Sequence, residues 1–266
     1  ITLASYAIYD NLSGLESWTQ YDTSIFEWQV MNDNIAETII DGSAPIDENY
    51  GSCILIYNNE DDCITPTITG FTIQNGIGTE VKLGPDTDQE QDQTVGGGIL
   101  VILSNPTIHY NQLINNGSHD LYIGGGIYLS TEPEDLGFEN YDLNRARCDV
   151  EEFDLSNNMY DGNEAQYGNT LSNRFYENGY DMSSSIFDIA NCQANEVSPV
   201  WVHIDPEAVA NFSDSEANLC ATTASDVYVD PNINQECIDE GCGTQQNPFK
   251  TITWALQIVM PSEDNP

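Results

Sequence analysis

Two stretches decide how this chain folds: ITPTITGFTIQNG at Ile64–Gly76, and GGGILVILSNPTIHYNQLINNGSHDLYIGGGIYLS at Gly96–Ser130. A Thr-Ile start and an Asn-Gly stop bracket Thr67–Gly76 and return at Thr107–Gly117. Gly-Gly-Gly-Ile stands at Gly96–Ile99 and again at Gly124–Ile127, an offset of 28 residues. Short β-branched runs punctuated by Gly and Asn at such a period predict stacked strands, because one rung is too small to bury its own apolar face. Alternation puts Ile68 with Phe71 or Ile73 inside one rung, and Ile108 with Ile114 inside another. The Asn-Gly pairs supply the positive backbone angles that turn the corners. An asparagine at matching corners is expected to build a hydrogen-bonded ladder, which is a structural device and not a catalytic one.

The segments ITGFTIQNG (Ile68–Gly76), the two GGGI blocks, SNPTIHYNQLINN (Ser104–Asn116) and NPFKTITWAL (Asn247–Leu256) also carry a resemblance. They resemble the right-handed parallel β-helix (pectate-lyase-like) repeat proteins of bacterial surfaces and secretions. The resemblance implies an all-β solenoid with a short amphipathic cap helix. It specifies a fold and not an activity, since the same solenoid hosts lyases, hydrolases, adhesins and fibres.

Charge narrows the functional classes. The 266 residues hold 5 Lys+Arg against 44 Asp+Glu, a formal net charge of −39. Nucleic acid as a partner is excluded, because counterion-release binding needs a basic footprint. Anionic membranes and polyanionic substrates are disfavoured unless cations bridge. Apolar residues make up 39% of the chain and the acids are dispersed among them, which argues against wholesale disorder. No apolar run is long enough to span a membrane, so no membrane insertion is expected.

The seven cysteines lack metal-finger spacing and histidine neighbours, so an extracellular or cell-surface location with some disulfides is the economical account. Cys53 with Cys63 and Cys237 with Cys242 are the sequence-local candidates, and the odd count leaves one thiol over. Asn11, Asn116 and Asn211 head Asn-X-Ser sequons, which fit a surface location. The chain opens at Ile1 without an initiator methionine or secretory signal and reads as a processed or excerpted piece.

In order, residues 1–192 read as β-helix rungs with loop excursions at 78–94 and 131–147. The first ten residues alternate as a strand does, and residues 11–34, with Trp18, Tyr21, Phe26 and Trp28, read as a loop lying on a wall. Thr38–Gly42 and Cys53–Tyr57 are short strands, and further rungs are expected at Cys148–Leu155, Thr170–Phe175 and Ser185–Ile189. Asn157-Asn158, Asp161-Gly162 and Asn178-Gly179 are read as corners. Asp86, Asp88, Glu90 and Asp92 sit two apart, so an extended backbone puts them on one side. They form either a solvated acidic loop or a calcium site, without the glycine and spacing of an EF-hand; no other cofactor is expected.

Residues 193–225 read as an irregular connection with an outer strand at Ser198–Ile204. Residues 226–266 read as the first strand (Val227–Val229) and cap helix of a further unit, the helix opening at Asn247-Pro248. Phe249, Ile252, Leu256 and Val259 share one face of that helix. In the look-alikes such a cap comes first and the rungs follow, so this chain reads as circularly permuted across its ends. The expected function is therefore a structural subunit, or one repeat, of an extracellular filament or surface appendage. Copies or tandem units would join head-to-tail through Ile1, Leu3, Val227, Phe249, Ile252, Trp254, Leu256 and Val259. Such a heterologous contact does not close and yields a filament.

The alternative is a secreted polysaccharide-binding or polysaccharide-degrading β-helix. Lyase chemistry wants a cationic base, and the cations are only Lys82, Lys250, Arg145, Arg147 and Arg174. Asp61-Asp62-Cys63 echoes a hydrolase segment without its histidine and basic partners, and adjacent acids are commonplace among 44. No enzyme activity is expected. Trp18, Tyr21, Trp28 and Trp201 are the aromatics that would stack on extracellular glycans.

Overall fold

A computed structural model describes residues 2–5, 15, 17–22, 24, 27–58, 63–83, 91–118, 120–121, 123–130, 152–166, 168–174, 179–188, 202–203, 210–217, 228–233, 244–248 and 250. The chain divides into a first unit, Ile1–Asp188 with Pro199–Glu216, and a second, Ile189–Ser198 with Ala217–Pro266. The first unit is all-β apart from short helical turns, and most of its strands stack in parallel.

Stack I holds Thr2–Ala4, Thr67–Thr69 and Thr107–His109, followed by a neighbouring block of Glu152–Asp154, Gly179–Asp181 and Ala210–Asn211. Stack II holds Ile39–Asp41, Thr72–Gln74, Gln112–Ile114, Met159–Asp161 and Ile186–Asp188, with Glu216–Ala217 at its edge. Stack III holds Ile54–Tyr57, Ile99–Ile102, Ile127–Ser130, Leu171–Arg174 and Val202–His203. Along the chain, strands fall to stacks I, II and III in turn, again and again. This route is compatible with a parallel β-helix. It places the two Thr-Ile motifs directly on one another, Ile68 over Ile108, and the two Gly-Gly-Gly-Ile blocks likewise, Ile99 beside Ile127.

Alternation gives stacks I and II one apolar face each. Ile68, Ile108, Phe153 and Tyr180 are buried in stack I, and Ile73, Leu113, Tyr160 and Phe187 in stack II. Aliphatic layers give way to aromatic ones along the chain: Phe153 stacks on Tyr180 at 5.6 Å and Tyr160 on Phe187 at 5.3 Å. The inward residue expected at Ile114 is instead Leu113, which aligns with Ile73 and Tyr160. The corner explains the slip. Tyr110 takes φ +53° and Asn111 turns its amide inward, so alternation restarts at Gln112.

The outer faces of two stacks are covered. The wall loop expected at 11–34 contains an antiparallel hairpin, Thr19–Asp22 with Glu27–Val30, and a five-residue helix, Asp33–Glu37, capped by Asn32. Leu15, Trp18 and Ile35 from this segment pack on Met159 and Ile186 of stack II. The excursion expected at 78–94 is a hairpin too, Gly78–Leu83 with Gln91–Val95. Its Val81 and Val95 pack on Leu100, Ile102 and Tyr128, the outer face of stack III. That is why Ile99–Ile102 is buried on both sides and reads as an unbroken apolar run.

Rungs not anticipated are Met159–Asp161 and Gly179–Asp181, so Gly179 opens a strand and is no corner. Val202–His203, expected in an outer strand, instead extends stack III on Leu171–Ser172. The strand expected at Val227–Val229 and the second excursion at 131–147 lie at or outside the described residues. So does the cap helix, from which only Lys250 is described after Pro248.

Close approach dictates the glycines. A Cβ on Gly97 would run into the Gly125 carbonyl oxygen and the Gly117 nitrogen. Between stacks I and II, Gly70, Tyr110, Asn157, Ser184 and Asp214 all adopt positive φ, a column of left-handed corners in which only one residue is glycine.

Candidate functional site

The corner asparagines form two ladders. Between stacks I and II, Phe71 N–H donates to Asn111 Oδ1 (3.1 Å), Asn111 N–H to Asn158 Oδ1 (3.0 Å), and Asn158 N–H to Ser185 Oγ (3.3 Å). After stack II, Gly76 N–H donates to Asn116 Oδ1 (3.0 Å) and Asn116 N–H to Asn163 Oδ1 (3.1 Å). Their Nδ2 groups bond buried backbone carbonyls, among them Ile68, Ile73, Ile108 and Leu113. Each corner therefore satisfies backbone groups that no strand can reach. Asparagine suits the task because one short side chain carries both donor and acceptor.

The ladders end at Phe71 and Gly76, and the stacks continue one strand further. Thr2–Ala4, Ile39–Asp41 and Ile54–Tyr57 are the terminal strands of stacks I, II and III. All three come from residues 2–57, and among the described residues each is the last strand of its stack. Apolar burial falls away there in stacks I and II. Ile68 is 3% exposed but Leu3, its neighbour in the column, is 46% exposed; Ile73 is fully buried, while Ile40 is half-buried. Ile39 is 50% exposed. Strands that end their stacks beside a partly open core are what a further rung would cover.

Charge at this edge is fixed by hydrogen bonds. Asp41 accepts Gln74 Nε2 (2.9 Å), Ser43 N–H (2.8 Å) and Asn75 Nδ2 (3.3 Å). The Gln74 bond foremost, with those from Ser43 and Asn75, holds its carboxyl at about 2. Asp41 thus ties the first coil to the second and stays ionised.

Cys53 has a free thiol, so the expected Cys53–Cys63 disulfide does not form. Its Sγ lies 3.1 Å from the Gln74 carbonyl and 3.6 Å from Asn116 Oδ1, at the foot of the second ladder. A Cβ on either Gly42 or Gly76 would come within 2.8 Å of that sulfur. The thiol fills the corner that the two glycines leave, and burial pushes its pKa up to about 11. Cys237 and Cys242 lie outside the described residues.

Among the remaining predicted site residues, Leu3 is placed at the open edge. Ile1, Val227, Phe249, Ile252, Trp254, Leu256 and Val259 lie outside the described residues. So do Asp86, Asp88 and Glu90; Asp92 is exposed on its hairpin, opposite Lys82. Among the described residues no group of three or more His, Cys, Asp or Glu gathers as metal ligands would. Asp61, Asp62 and Trp201 are likewise outside them. Trp18 is 5% exposed and packs edge-on against Tyr110 at 6.3 Å, which removes it as a sugar platform. Tyr21 and Trp28 lie 5.4 Å apart on the hairpin.

Sequence reasoning missed a repeat on the outer face of stack I. Asp154, Asp181 and Asn211 each accept the backbone N–H of the serine two residues on, at 3.2, 3.0 and 3.0 Å. The signal was legible as DLS, DMS and NFS, each two or three residues into a rung. His109 lies on the same face; desolvation lowers its pKa, opposed by the Asp154 carboxylate. No described helix is long and apolar enough to cross a membrane. No family model matches the chain, and neither a curated protein nor a solved structure matches it.

Proposed function

We propose that the chain is a right-handed parallel β-helix serving as a structural unit of an extracellular filament or surface appendage. Copies or tandem units join head-to-tail through the open edges of the first coil. The observation that carries this reading is that, among the described residues, Thr2–Ala4, Ile39–Asp41 and Ile54–Tyr57 each end their stack, where the core opens at Leu3 and Ile40. Right-handedness follows from the general rule for parallel crossovers. The C-terminal segment, with Phe249, Ile252, Trp254, Leu256 and Val259 on its predicted helix, is the part that completes the neighbouring unit's first coil. The net charge of −39 supports a solvated surface in salty, cation-rich surroundings, with calcium a candidate bridge between acidic loops.

Sedimentation velocity over a range of concentrations tests the reading. The chain is expected to form a ladder of end-to-end oligomers, and Leu3→Asp to suppress it while leaving the far-ultraviolet circular dichroism unchanged. A single monomer species at every concentration, in salt and in calcium, defeats the proposal.

A further inference from the structure

We infer that Asn211 is an N-glycan acceptor, and that of the two Asn-X-Ser sequons among the described residues it alone is open to modification in the folded chain. Asn116-Gly117-Ser118 and Asn211-Phe212-Ser213 satisfy the same sequence rule, yet the fold treats them oppositely. Asn116 is fully buried. Its Nδ2, the atom a glycan would occupy, donates to the Ile73 carbonyl at 2.9 Å and to Asn163 Oδ1 at 3.0 Å. Its Oδ1 accepts the Gly76 N–H at 3.0 Å, so the whole amide is spent inside the ladder. A sugar there would displace both Nδ2 bonds within a close-packed corner.

Asn211 is exposed, as are Phe212, Ser213 and Asp214 after it. It stands at the end of the last stack I strand, on the outer face. Its Oδ1 accepts the Ser213 N–H at 3.0 Å, a turn that holds the acceptor amide over the serine the sequon requires. Its Nδ2 meets Asp181 Oδ1 at 3.1 Å, an exposed contact that a transferase displaces at little cost. The co-reactant is an oligosaccharide carried on a polyprenyl pyrophosphate. Asn211 Nδ2 bonds to the anomeric carbon as the carbon–oxygen bond to pyrophosphate breaks. The polyprenyl pyrophosphate leaves with that electron pair, and the nitrogen gives one proton to a base of the transferase. Nothing is oxidised or reduced.

The test uses the folded chain with a purified oligosaccharyltransferase that accepts a plain Asn-X-Ser sequon, together with its lipid-linked oligosaccharide. Peptide mass spectrometry then reads occupancy at each site. Asn211 is expected to be occupied, to lose its glycan in Asn211→Gln and Ser213→Ala, and to keep it in Ser213→Thr. The Asn116 peptide is expected to stay unmodified in the folded chain, although a synthetic peptide spanning Ile114–Asp120 is a substrate. Failure to modify Asn211 while that peptide is modified, or a glycan on Asn116 of the folded chain, overturns the inference.

Discussion

Replacing Asn158 by Ala removes the centre of one ladder. Asn158 Nδ2 donates to the Ile108 carbonyl at 2.7 Å and the Leu155 carbonyl at 2.8 Å, while its Oδ1 accepts the Asn111 N–H at 3.0 Å. The side chain is fully buried, so water does not replace these partners freely. An unsatisfied buried group costs about 1–3 kcal/mol. The Leu155 carbonyl keeps a long bond from Ser185 Oγ at 3.4 Å, so its loss is partial. The variant should therefore lose about 3–5 kcal/mol, which in urea is a midpoint shift of roughly 1–2 M. Asn111→Ala should cost a similar amount, and the double variant less than the sum, because the bond from Asn111 Nδ2 to Asn158 Oδ1 (3.3 Å) is lost only once. Urea unfolding followed by circular dichroism reads all three. A loss under about 1 kcal/mol for Asn158→Ala, or strict additivity, would refute the claim that the ladders hold the coils together.

Gly97→Ala should be among the most damaging small substitutions, at about 3 kcal/mol or more, because its Cβ meets backbone of two neighbouring corners and no flexible side chain can give way; thermal unfolding measures it, with the exposed Ser43→Ala as reference. Cys53 should react with a disulfide reagent at pH 8 about a hundredfold more slowly in the folded chain than its unfolded value of 9.0 would allow, with the difference abolished in denaturant. Asp41 has a folded pKa below its unfolded one, so its stabilising share is present above about pH 4 and lost as the pH falls through about 2. The wild type should thus lose stability relative to Asp41→Asn over that window in pH-dependent urea midpoints. His109 also has a lowered folded pKa, which makes protonation favour the unfolded chain; stability attributable to it falls as pH drops below the ordinary histidine value of 6.5, and His109→Gln should flatten that limb.

The parallel stacking was legible where one motif repeats with its corner residues. Thr67–Gly76 and Thr107–Gly117 pair in the register that their sequences suggest, because identical corners demand identical partners above and below. Inward positions were harder to read. Left-handed corners at Tyr110 and Ser184 are not glycine or asparagine, so alternation counted across them slips by one, as it did at Ile114. The hairpins over stacks II and III were hidden for another reason. Their apolar residues, such as Trp18 and Val81, serve an outer face that only the assembled stack creates. The Cys53–Cys63 pairing failed because spacing says nothing of depth: Cys53 faces the ladder between Gly42 and Gly76. Leu3 stands at the end of the column of Ile68 and Ile108, a neighbourhood that only the pairing reveals. No pattern announced the three coincident edges, which arise only when the stacks are aligned.

The most direct test of stacking within and between units is electron microscopy and diffraction of the chain concentrated in high salt, where repulsion between units of charge −39 is screened to a few ångströms. The account predicts long uniform filaments with a reflection at about 4.8 Å along the filament axis, the rung spacing continued across every junction. Discrete particles without that axial reflection would contradict it.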